Sequence, residues 1–222
     1  MTTRSLLVVL ALSCALVAAC GKKKPVEVAA APQQPATVPS PAPAPAAEPT
    51  AAERERADKQ AKLDYGTMED KYINDPKAQW AASAKASSTF GDDNGKTPSE
   101  SSIAANTTGP VDGKTWTNNH QDIGFDTLEL SYAKPVIAIE VRAVVPEHAA
   151  ALSKLELQST DGTWSTVWSG VNDDKEEKRG SRTWFVRSVA KTAAKVNGVR
   201  ITFANNVASG YKTVDAVQLV GE

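Results

Sequence analysis

Two histidines, His120 and His148, and two cysteines, Cys14 and Cys20, are the only such residues in the 222-residue chain, which narrows the chemistry it could perform. Neither histidine stands in a His-Glu-x-x-His arrangement, no Gly-x-Ser-x-Gly elbow presents a serine, and no glycine-rich loop is built for phosphate. A scattered pair of carboxylates for glycoside hydrolysis would leave no local motif and needs a cleft to reveal it. The chain otherwise reads as non-enzymatic. The remaining candidates are side chains that could hold something. Asn118, Asn119 and His120 follow Trp116 in a polar stretch and offer planar hydrogen-bonding groups, while Trp184 and Tyr211 offer aromatic faces. Asp92, Asp93 and Asn94 lie between Gly91 and Gly95 and offer the hard oxygens that calcium prefers, without EF-hand spacing; a solvated turn accounts for the same residues.

Charge and cysteine use limit the partners. The formal charge is −1 and no basic stripe appears, so the sequence carries no field for nucleic acid. Arg4 precedes an apolar run from Leu6 to Ala19, which is short for a permanent membrane span and has the pattern of a secretion signal. The run closes with Leu16-Val17-Ala18-Ala19-Cys20 and changes abruptly to Gly21-Lys22-Lys23-Lys24. This resembles the lipobox of bacterial lipoproteins, which implies removal of residues 1–19 and diacylation of Cys20 as the lipid attachment point. An ordinary signal with an Ala-x-Ala-like cut is the alternative. Two or three acyl chains would anchor a protein stably in a bilayer. Gly21 is not the Asp that favours inner-membrane retention, so the resemblance implies the outer membrane of a Gram-negative bacterium, on its periplasmic or surface face. With Cys14 discarded and Cys20 blocked, the mature domain would have no thiol and no disulfide.

The elements that must position these residues follow in order. Residues 20–50 are rich in Pro, Ala, Val and Gln and include Pro39-Ser40-Pro41-Ala42-Pro43-Ala44-Pro45, a disordered tether with polyproline II character. Residues 51–75 form a polar helical or extended connector, with charges among alanines and no apolar stripe. Residues 76–222 read as one domain, large enough to bury a core without staples. Its period is two. Thr127-Leu128-Glu129-Leu130-Ser131-Tyr132 and Lys154-Leu155-Glu156-Leu157-Gln158 alternate, and Ile137, Ile139, Val141 and Ala143 form an inward set. Asp161-Gly162 between two such runs predicts a type I′ hairpin. Further strands are expected over 183–189, 198–203 and 213–220, and one helical turn is possible over 147–152. The mixed-charge run 173–182 reads as a soluble hairpin loop. The fold class is all-β, an antiparallel sandwich preceded by a signal peptide, a tether and a short polar helix.

From Gln79 to Gly221 the order of motifs resembles the galactose-binding-like jelly-roll, also called the discoidin or coagulation factor 5/8 C-terminal type. The residues that carry this are Gln79-Trp80-Ala81 with Ser87-Ser88-Thr89-Phe90, then Gly109-Pro110-Val111-Asp112-Gly113 before Trp116, then Phe125-Asp126-Thr127-Leu128. Leu155-Glu156-Leu157 with Asp161-Gly162-Thr163-Trp164 and Val167-Trp168-Ser169-Gly170 follows, and Ser209-Gly210-Tyr211-Lys212 leads into the last strand. The resemblance implies loops at one end of the sandwich that bind glycan or another envelope component, with Asn118, Asn119 and His120 for hydroxyls and Tyr211 or Trp184 for a sugar face. It also implies a structural calcium at Asp92, Asp93 and Asn94 as the one cofactor to consider. Trp116, Trp164 and Trp168 are expected in the core. A lipoprotein that contacts another envelope protein is the alternative function.

Overall fold

Strict alternation over 127–132 and 154–158 becomes two stacked sheets in the computed structural model, which describes residues 48–93, 96–173 and 182–222. The signal, Cys20, the tether up to residue 47, Asn94 and the charged run 174–181 lie outside the described residues. One sheet has four strands in the order β1 (Ala78–Trp80), β11 (Ala216–Gly221), β5 (Ala138–Val145), β8 (Thr183–Ser188). The other has five, in the order β2 (Ser83–Ala86), β4 (Phe125–Val136), β9 (Val196–Ala204), β6 (Leu152–Ser159), β7 (Trp164–Ser169). A small pair, β3 (Trp116–Thr117) with β10 (Thr213–Val214), lies outside both. Every pairing is antiparallel, so the fold class expected from the sequence is the one observed.

The core lies between the sheets. Leu128 and Leu130 of β4, Val199, Ile201 and Phe203 of β9, and Leu155 and Leu157 of β6 meet Val141 and Ala143 of β5, Phe185 of β8, and Val217 and Leu219 of β11. Each such buried Leu, Ile, Val or Phe side chain contributes about 1.5–3 kcal/mol against exposure. The expected inward set of β5 needs correction at its start, because Ile137 and Ile139 are only half-buried whereas Ala138 is fully enclosed. Val144 faces the other way and is also buried, which is why the alternation fails over Ala143-Val144-Val145. Trp116 is enclosed, packs on Phe203 and donates from Nε1 to Ser88 O at 2.9 Å. Trp168 packs against Phe185 at the core margin. Trp164 does not join the core: it lies half-buried on the outer face of the five-stranded sheet, with the Arg200 guanidinium 4.0 Å above its ring.

What buries Val144 is a helix. α1 runs over Ala51–Ile73, opened by a reciprocal capping box in which Thr50 Oγ1 accepts from Glu53 N and Glu53 Oε2 accepts from Thr50 N at 2.7 Å. Its first ten residues are exposed. Tyr65, Met68 and Tyr72, at helical spacing, then pack on Val144, Trp184 and Ala216 across the outer face of the four-stranded sheet. The turn between β6 and β7 also differs from expectation. Gly162 has φ +89° but Asp161 does not have positive φ, Gly162 N donates to Ser159 O, and Asp161 Oδ1 caps Thr163 N. A type I turn followed by a left-handed glycine therefore replaces the type I′ turn.

Candidate functional site

The loop after β3 is held from within. Asn118 is fully buried; its amide donates to Asp126 Oδ2 (2.9 Å), Asn205 Oδ1 (3.1 Å) and His120 O, and its Oδ1 accepts from Lys212 N at 2.8 Å. Burial alone would raise the Asp126 carboxyl, but hydrogen bonds from Ser88, Asn118, Asn205 and Ser87 outweigh it and hold it below the ordinary carboxylate value. Lys212 is enclosed too, and its ammonium donates to the carbonyls of Gln121, Asn205, Ala208 and Gly210. Burial pushes its pKa down against the opposing influence of Asp122 and Asp126.

The expected binding residues fall into different roles within this frame. Asn118 is spent on the fold. Asn119 bonds Asp93 Oδ1 at 2.8 Å and accepts from Gly91 N, tying two loops together. His120 is about half exposed, with Nδ1 3.2 Å from Asp126 Oδ1. Tyr211 lies edge-on to Phe90 with ring centroids 4.9 Å apart. Trp184 is not part of this group: it is buried under α1, 5.2 Å from the Tyr72 ring, and its Nε1 donates to Glu69 Oε1 at 3.0 Å. Asp92 and Asp93 are exposed, one oxygen of Asp93 is taken by Asn119, and Asn94 lies outside the described residues. Among the described residues no group of three or more His, Cys, Asp or Glu side chains could hold a metal ion.

A cavity of about 600 Å³ lies instead on the outer face of the five-stranded sheet, lined by Phe125, Thr127, Glu129, Ser153, Lys154, Glu156, Ser169, Arg200 and Thr202. Register explains it. Lys85 pairs with Glu129, Glu129 with Arg200, Arg200 with Glu156, and Glu156 with Thr166, so one row across five strands alternates in charge over its first four positions. The next row toward the loops carries Thr127, Thr202 and Lys154, and Phe125, strongly exposed, forms the lip. Arg200 is fixed by Glu129, 2.8 Å from Nε to Oε1. Glu156 Oε2 lies 3.1 Å from Lys154 Nζ and 3.5 Å from Arg200, yet accepts no directed hydrogen bond. Thr202 Oγ1 likewise has no partner. Both residues are more than nine-tenths buried, and both line the cavity.

No family model matches the chain, and no curated protein matches it. Solved structures are similar to it. Chitosan-binding module 1 of a chitosanase/glucanase from Paenibacillus sp. IK-5 is 13% identical, with a TM-score of 0.47, over 63% of this chain and 94% of that one. A family 32 carbohydrate-binding module from C. perfringens, in complex with galactose, is 13% identical, with a TM-score of 0.41, over 64% and 98%. An F5/8 type C domain from Bacteroides fragilis is 15% identical, with a TM-score of 0.47, over 66% and 98%.

Glu129, Lys154, Glu156, Arg200 and Thr202 form no local motif in the sequence. The signal was present as the polar half of each alternating run. Only strand register brings those halves side by side.

Proposed function

We propose that this chain is a non-catalytic glycan-binding module that takes its ligand in the trough on the five-stranded sheet. One observation carries the reading: an open hollow of about 600 Å³ whose walls present hydrogen-bonding side chains held in place, Arg200 by Glu129 and Lys154 by Glu156, with the exposed Phe125 ring at its lip. A hydroxyl-rich ligand matches such groups, and Phe125 offers an apolar ring for the C–H face of a sugar. Glu129 and Glu156 flank Arg200 and are engaged by it, so they serve as fixed acceptors rather than as a hydrolytic acid–base pair. Display from the outer membrane of a Gram-negative bacterium, through lipid on Cys20, completes the proposal. The support for that part is the Leu16–Cys20 motif.

The full chain on a glycan array tests the binding: retention on at least one polysaccharide, lost in Arg200→Ala, is expected. Failure to bind any glycan, peptidoglycan included, overturns the reading, and stoichiometric cross-linking to one envelope protein would replace it. Mass spectrometry of the cell-derived protein, showing a diacylated Cys20 at the N-terminus, tests the anchor.

A further inference from the structure

The cavity of about 600 Å³ does not end at the charged row. A second depression of about 220 Å³ lies beyond it, lined by Ser83, Lys85, Ser131, Gln158 and Trp164 among others, and it shares Glu129 with the first. A third, of about 240 Å³, is lined by Lys85, Ser87, Thr127 and Glu129 and joins the flank of both. All three open on one face of one sheet, from Phe125 at the loop end to Trp164 at the hairpin end. The span from Phe125 to Ser131 along β4 is about 20 Å at ~3.4 Å per residue.

The far end has its own construction. Gly198 pairs with Ser131 on one side and Gln158 on the other, and a Cβ there would meet Gln158 Cβ at 2.8 Å and the Trp164 ring at 3.4 Å. The missing side chain lets Trp164 lie across β9, with Arg200 stacked on its ring. Each end of the trough thus has an aromatic ring, Phe125 or Trp164, and polar groups fill the space between. Two of the three cations on the face are engaged within it, Arg200 by Glu129 and Lys154 by Glu156, and the exposed Lys85 stands in register with Glu129. Binding a polyanion would require breaking those pairs, whereas a neutral chain leaves them intact.

We infer that the trough is a multi-subsite cleft for the interior of a neutral polysaccharide chain lying along the strands, not a socket for one terminal sugar. This inference rests on the glycan reading above. Its test is calorimetric titration of the full chain with size-graded neutral oligosaccharides of glucose and of N-acetylglucosamine, from monomer to hexamer. Affinity is expected to rise at least roughly tenfold between dimer and hexamer as subsites fill. Trp164→Ala should weaken the hexamer by roughly tenfold and leave the dimer nearly unchanged, whereas Phe125→Ala weakens both. Gln158→Ala, at the same far end, gives a second readout if Trp164→Ala does not fold. Equal affinity for monomer and hexamer, indifferent to both far-end variants, overturns the chain-binding inference and leaves the glycan reading standing. Preference for a polyuronate with steep salt dependence overturns the neutral assignment. Absence of binding to every neutral and charged glycan overturns this inference and the glycan reading together.

Discussion

Thr202 and Asn118 are both buried polar residues, and their roles separate cleanly by hydrogen bonding. Thr202 Oγ1 is buried without a partner beneath the trough, so Thr202→Val should leave urea-unfolding stability unchanged or raise it by up to about 1–3 kcal/mol. Asn118 is fully satisfied and serves three loops. Asn118→Ala strands Lys212 N and Asn205 Oδ1 and removes one of the donors to Asp126 Oδ2, and should cost about 2–4 kcal/mol in the same unfolding measurement. A planar amide beside a histidine is legible as a hydrogen-bonding group from sequence alone. Whether it faces solvent or the frame is decided by Asn205 and Lys212, which lie 87 and 94 residues away.

At the scale of elements, α1 joins the sandwich through few contacts, of which Glu69 is the centre: it accepts from Trp184 and Arg182, with the Tyr65 hydroxyl 3.3 Å from its Oε1. Tyr65 donates to Arg182 O at 2.7 Å. Burial first, then the Glu69 carboxylate, pushes the Tyr65 hydroxyl up to about 12. The unfolded phenol ionises near 10, so its stabilising contribution is complete below about pH 10 and is lost as pH rises toward the folded value. Unfolding midpoints between pH 9 and 12 should therefore fall less steeply in Tyr65→Phe than in the parent chain. The docking itself was hidden in the sequence because the helix shows an apolar stripe only in its second half, as Tyr65, Met68 and Tyr72. Strands were the opposite case. Alternation over Thr127–Tyr132 and Lys154–Gln158 disclosed the core side of each strand directly, and failed at Val144 because a helix covers the face that should have been wet.

For the whole molecule, the two outer faces are unequal. The four-stranded sheet carries α1, and Trp184, expected as a ligand-facing ring, is sealed beneath it. Among the described residues the five-stranded sheet is left bare, with polar and charged side chains lining a long hollow. Fold class could be reached from the period of the sequence because burial and period are locally coupled. The hollow could not, since it depends on which strands become neighbours: β4, β9 and β6 are contiguous in space but not in sequence.

Lys212 has one more implication. Four loop carbonyls converge on a positive charge that is covalently part of the chain, so the loops around it draw their order from the polypeptide and not from an ion borrowed from the medium. Thermal melts with and without excess EDTA should superimpose, whereas Lys212→Ala should melt earlier and regain part of the loss on adding ammonium or an alkali cation. A chain built this way keeps its loop geometry wherever free metal is scarce.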